Sequence, residues 1–190
     1  MKFKLMLATL IVFFVGFMLF SGSKSPEKPK PPVGGFDSLK GKPAMDFTLM
    51  TYDGKAFNLS QQKGKKVVLF FNEGIMCYPA CWNQIAALGT DKRLNNEQVT
   101  SANIVVDAKT QWDEAIKKMP QLGKGIILFD KGKSVSIQYD VLSLESSMHK
   151  GGMPGHTYII IDRNGIIRYT LDDPKMGIQN EALIKELSKI

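Results

Sequence analysis

The stretch V-V-L-F-F-N-E-G-I-M-C-Y-P-A-C-W-N-Q-I-A-A-L, residues Val67 to Leu88, decides how the rest of the chain is read. It opens with five apolar residues, Val67 to Phe71, the pattern of a strand buried on both faces. A short loop, Asn72 to Met76, follows, with Gly74 to let the backbone turn. Cys77 and Cys81 come next and are the only two cysteines in the chain. Trp82, Ile85, Ala86 and Leu88 then fall at helical spacing, with Trp82 expected in the core or as a wall of the site. A buried strand that delivers two cysteines to the start of a helix is an arrangement for thiol chemistry.

The physics of the pair follows from its place. A cysteine at a helix N-terminus faces unpaired backbone N–H groups and the positive end of the helix dipole. Both favour thiolate, and such sites lower a cysteine pKa from about 8.5 to roughly 3.5–7.5. Pro79 fits there, because a first-turn residue has no intrahelical N–H bond to lose. Helical Cα atoms four apart lie roughly 6 Å from each other, inside the disulfide range of about 4.4–6.8 Å, so a bond is reachable with Cys77 just outside the helix. Cys77 is then expected to attack a substrate disulfide and Cys81, one turn deeper, to resolve the mixed disulfide. Glu73 is a candidate proton acceptor for Cys81, against the plainer reading of a solvated loop carboxylate. Two alternatives stay open. A purely stabilising disulfide suits an exported protein, though so short a loop constrains the unfolded chain little. A soft metal site of thiolates and imidazole would draw on His149 or His156, the two histidines present.

Composition excludes one class. The formal charge of +7 suggests nucleic acid, but residues 1–43 carry seven lysines against Glu27 and Asp37, a net of +5, leaving +2 for the other 147 residues. Basicity belongs to the leader and linker rather than to a patch on the fold, so nucleic acid is not an expected partner.

At the N-terminus, Lys2 and Lys4 precede sixteen residues, Leu5 to Phe20, with no polar side chain except Thr9. As a helix this run covers about 24 Å, slightly less than a hydrocarbon core. It reads as a secretory signal, with Ser21, Gly22 and Ser23 as a cleavage site, or as an uncleaved anchor over residues 1–22. No cysteine stands directly after it, which argues against a lipoprotein anchor. Residues 23–36, rich in Pro, Lys and Gly, read as an extended tether, and a tether favours the anchor. The expected location is the cell membrane, with one N-terminal anchor and residues 37–190 outside the cytoplasm, or secretion if the leader is cleaved.

In the folded part, Ala44 to Met50 and Ala56 to Leu59 read as a hairpin about Asp53-Gly54. Strands are expected at Val67–Phe71, Ile104–Val106, Ile126–Phe129, Tyr158–Ile161 and Ile166–Thr170. Helices are expected after Cys77, at Trp112–Lys118, near Val135–Tyr139 and at Glu181–Ile190, with a Ser/Gly-rich loop from Leu142 to Pro154. Strands alternating with helices make an α/β sheet covered on both faces, with an N-terminal β-hairpin extension.

These features resemble the thioredoxin-like superfamily, in its branch of exported redoxins and peroxiredoxin-like (AhpC/TSA) domains. Pro43-x-x-x-Phe47 with Asp53-Gly54 resembles that branch's N-terminal hairpin, and Val67 to Cys77 its central strand and active-site loop. Gly155 to Arg168, G-H-T-Y-I-I-I-D-R-N-G-I-I-R, resembles its second hairpin. The resemblance implies a thioredoxin-like fold with a central mixed sheet. Three departures stand out. The spacing is Cys-x-x-x-Cys rather than C-x-x-C. The places where a peroxiredoxin carries Pro and Thr or Ser before its peroxide-reducing cysteine hold Phe70 and Gly74. The superfamily's cis-proline matches Pro154 one residue early.

The expected function is therefore a membrane-tethered thiol–disulfide oxidoreductase with no cofactor, using Cys77, Cys81, Glu73 and Pro154. Its expected partners are protein disulfides or dithiols and a membrane thiol electron donor. Resemblance to Sco-type copper chaperones implies the alternative of a copper(I) site at Cys77, Cys81 and His156. A weak peroxidase is a third reading, which the missing Thr or Ser disfavours.

Overall fold

The structure is a computed structural model and describes residues 30–190. The leader over residues 1–22 and most of the tether lie outside the described residues. Among the described residues no helix is long and apolar enough to cross a membrane.

Among the described residues seven strands form one sheet, β1 (Thr48–Thr51), β2 (Ala56–Asn58), β3 (Lys66–Phe71), β4 (Val99–Val105), β5 (Ile126–Phe129), β6 (Thr157–Ile161) and β7 (Ile167–Asp172), ordered β2-β1-β5-β4-β3-β6-β7. The helices are α1 (Ala80–Thr90), α2 (Lys109–Lys118), α3 (Ser134–Gln138) and α4 (Asn180–Leu187). β3, β4 and β5 run parallel through the crossovers α1 and α2. β6 and β7 add an antiparallel hairpin beside β3, and β1 joins the far side of β5 at Met50↔Phe129. This is the expected mixed α/β sheet with its N-terminal hairpin.

The apolar run at the centre sorts by the two-residue period of a strand. Val67, Leu69 and Phe71 enter the core on one face with Phe36, Leu39, Phe47 and Val135. Val68 and Phe70 enter the other with Trp82, Ile85 and Leu88 of α1, Trp112 of α2 and Leu183 of α4. Each such side chain taken out of water contributes about 1.5–3 kcal/mol, which is why β3 sits mid-sheet. The disulfide lies on the α1 face.

Some boundaries differ from expectation for physical reasons. β4 begins at Val99, well before Ile104, because two polar residues on it are buried with partners of their own. Ser101 Oγ donates to Asn95, and the Asn103 amide donates to the Ile126 carbonyl. α2 begins at Lys109, where the Gln111 side chain accepts the Ala108 N–H. The packed body starts at Phe36 rather than at residue 37, since Phe36 joins the core. β1 starts at Thr48, because Ala44 pairs with Gly165 in the turn between β6 and β7 instead.

Candidate active site

The site forms at the C-terminal end of β3, where the chain leaves the sheet through a tight loop. The Asn72 side chain accepts the Gly74 N–H, and a short 3-10 turn, Gly74–Met76, follows. Gly74 has φ 59°, and a Cβ there would stand 1.8 Å from Oδ2 of Asp107. That same Oδ2 accepts the Ile75 N–H at 3.1 Å and the Trp112 indole N–H at 3.0 Å. Burial pushes the Asp107 carboxyl above its ordinary pKa, and these two bonds oppose the shift. The carboxylate is thus a peg under the active-site loop.

Cys77 stands just outside α1, its carbonyl accepting the Cys81 N–H at 2.9 Å. Cys77 and Cys81 are joined as a disulfide with Cα atoms 5.3 Å apart, so the pair read from spacing meets. Both are buried, at 3% and 1% exposure. The Sδ of Met176 rests 4.0 Å from Cys77 Sγ. On the other side Nδ1 of His156 lies 3.8 Å from Cys81 Sγ.

Met176 belongs to a strap, residues 173–179, that is tied at both ends. Asp173 N–H donates to the His156 carbonyl, and the Asp173 carboxylate accepts from the N–H groups of Lys175 and Gly177 and the side-chain amide of Gln179. At the other end Gln179 N–H donates to the buried Gln84 of α1 at 2.7 Å. The Gln84 amide in turn donates to Asn180 at the start of α4.

His156 is fully buried one residue before β6, on the face it shares with Tyr158 by strand alternation. Its ring meets Phe70 edge-on at 4.6 Å, and Phe70 in turn stacks on Tyr158. Burial lowers the imidazole to about 4, against the opposing pull of Asp173 and Asp172, so the ring is neutral at pH 7.

The remaining sequence candidates sit elsewhere. Glu73 is buried, but its Oε1 accepts from the N–H groups of Met148 and His149, at 2.6 and 3.0 Å, and from Ser147 Oγ. Its Oε2 lies 3.2 Å from Nδ1 of the half-exposed His149. Glu73 therefore clamps the 147–149 loop, and none of these contacts is to a sulfur. The cis bond looked for at Met153–Pro154 is absent there: among the described residues the cis peptide is Tyr78–Pro79. Pro154 is buried beneath a loop crossing, where a Cβ on Gly155 would meet the Ser147 backbone nitrogen at 2.4 Å. Among the described residues no group of three or more His, Cys, Asp or Glu side chains is arranged to hold a metal ion.

Beside the disulfide, Ile75, Tyr78, Trp82, Asn83, Lys118 and Met119 line a cleft of about 590 Å³. Met76, Tyr78, Met148 and Ile178 are exposed on the loops that surround the pair, at 56%, 71%, 58% and 62%. Asp107, Gln84 and the strap were missed by sequence reasoning, because each acts through a partner distant in the chain. His156, which the sequence offered as a copper ligand, stands two residues before Tyr158 and so shares the face that Tyr158 presents.

The redoxin family profile matches residues 39–181. Chloroplastic peroxiredoxin Q of Oryza sativa subsp. japonica is 30% identical over 155 residues, and that of Triticum aestivum is 30% identical over 154. Each match covers 80% of this chain, which spans 65% of the length of these curated relatives. Among solved structures, the mitochondrial 2-Cys peroxiredoxin of Plasmodium falciparum superposes with a TM-score of 0.66 at 23% identity, covering 80% of this chain and 93% of its own. The chain belongs to the redoxin family, and its fold is thioredoxin-like.

Proposed function

We propose that this redoxin is a thiol–disulfide oxidoreductase that cycles Cys77 and Cys81 between dithiol and disulfide. The observation that carries this reading is the Cys77–Cys81 bond itself, formed at the mouth of α1 where the central strand ends. A nucleophilic thiolate on a partner attacks Cys77 Sγ, Cys81 leaves as thiolate, and a second thiol completes reduction; the reverse sequence oxidises a substrate dithiol. The apolar rim of Met76, Tyr78, Met148 and Ile178 suits a polypeptide carrying the reacting sulfur.

Disulfide exchange is favoured over peroxide reduction on two counts. The place where a peroxiredoxin carries a hydroxyl is Gly74, and Asp107 leaves no room there for a side chain. The chain's three arginines are also engaged elsewhere. Arg93 bonds Asp91 and Glu181, Arg163 bonds Gln98, and Arg168 bonds Asp162. Among the described residues no arginine is thus left for the charge that develops on a breaking O–O bond.

We place the domain outside the cytoplasm, held by the apolar segment within residues 1–22, with a membrane dithiol donor as its electron source and protein disulfides or dithiols as substrates. This placement rests on Lys2, Lys4 and the Leu5–Phe20 run. The function is tested with Cys81→Ser, which should accumulate a mixed disulfide through Cys77, while Cys77→Ser should accumulate none. Both are read by mass spectrometry after exposure to an oxidised peptide. Equal trapping by both variants, or by neither, sinks the assignment. Fractionation of cells expressing the full chain tests the location, and recovery in the cytosol overturns it.

A further inference from the structure

We infer that His156 is the proton acceptor for Cys81 in the step that closes the disulfide; this rests on the dithiol cycle proposed above. The tautomer is set by geometry. His156 Nε2 lies 3.2 Å from the Gly177 carbonyl oxygen, and a carbonyl can only accept. In the neutral ring Nε2 therefore carries the hydrogen and Nδ1 keeps its lone pair. Nδ1 is the nitrogen that stands 3.8 Å from Cys81 Sγ. The ring cannot swing away freely, being wedged against Phe70 and Tyr158 with no exposed surface.

The carboxylates of the neighbourhood are occupied. Glu73 is spent on the 147–149 loop, and Asp107 Oδ2 on Ile75 and Trp112. Of the groups facing the ring, Asp173 is committed to the strap and Asp172 to Ser146 and Thr157, while the Tyr158 hydroxyl has no partner. The low basicity of the buried ring belongs to the disulfide form, where the adjacent sulfur is uncharged. A thiolate at that sulfur supplies the opposite charge that raises it.

In the mixed disulfide between Cys77 and a substrate sulfur, the Cys81 S–H proton moves to Nδ1 and the Cys81 sulfur forms a bond to Cys77 Sγ. The bond from Cys77 to the substrate sulfur breaks, and its electron pair leaves with the substrate thiolate. The cysteine pair is oxidised, the substrate is reduced, and the imidazolium returns its proton to that thiolate or to water.

The test is single-turnover mixing of the reduced full-length protein with 5,5′-dithiobis(2-nitrobenzoate), which releases one chromophore when Cys77 attacks and a second when Cys81 resolves. His156→Ala and His156→Gln should slow the second phase at least about a hundredfold at neutral pH, the span of general-base catalysis. The residual rate should climb with pH as bulk hydroxide takes over, and added imidazole should restore part of it in His156→Ala. A second phase within threefold of wild type, with the same pH profile, overturns the role of His156 and leaves the dithiol cycle standing. Absence of the first phase in the wild-type protein overturns the cycle itself. Should neither variant fold, ¹⁵N spectra of the reduced wild-type protein decide: a bare Nδ1 with a protonated Nε2 is expected, and a protonated Nδ1 overturns the inference.

Discussion

Gly74 owes its identity to Asp107. The backbone there is left-handed, and the carboxylate fills the space that any Cβ would take. Gly74→Ala adds conformational strain of roughly 1 kcal/mol and forces the peg to move, breaking its bonds to Ile75 and Trp112. The expected loss is about 2–4 kcal/mol in urea unfolding, with faster alkylation of reduced Cys77 as the loop loosens. His156 ties the stability of the fold to pH. Its folded pKa, about 4, lies below its ordinary 6.5. The unfolded chain therefore binds that proton first as pH falls, and stability is lost between about pH 6.5 and 4. The loss amounts to at most about 3 kcal/mol. Asp107, shifted upward, works against it near the acid end of that window. In His156→Gln the decline between pH 6.5 and 5 should flatten, as read by urea midpoints across pH.

At the level of elements, the strap 173–179 covers what the strand and helix deliver. Met176 adopts φ 51° and lays its thioether against Cys77. Met176→Gly removes both the cover and the backbone strain, so reduction of the disulfide by dithiothreitol should accelerate severalfold, measured under pseudo-first-order conditions. An unchanged rate would mean that the strap does not limit access. The strand, the loop and the cysteine helix were legible from one continuous stretch, because each is specified by local period and composition. The start of β4 was not, since Ser101 and Asn103 look like loop until Asn95 and the Ile126 carbonyl are seen beside them. The same blindness affected Glu73. Its neighbours in sequence are the active-site loop, but its hydrogen-bond donors come from residues 147–149. A cysteine pair announces itself locally; the groups that serve it come from elsewhere in the chain.

Across the whole molecule, the disulfide contributes little to holding the fold. A loop with a sequence separation of 4 removes only about 2 kcal/mol of unfolded-state entropy. Reduced and oxidised protein should accordingly differ by no more than about that amount in urea unfolding, and a much larger gap would recast the bond as a staple. The β1–β2 hairpin lengthens the sheet on the β5 side, while Phe36 and Leu39 bring the incoming chain onto the sheet face opposite the one that carries Cys77 and Cys81. The sheet thus stands between Phe36 and Leu39, where the described chain joins the body, and the reactive sulfurs. A bulky group carried at Val33, exposed just ahead of Phe36, would therefore leave access to the disulfide unhindered.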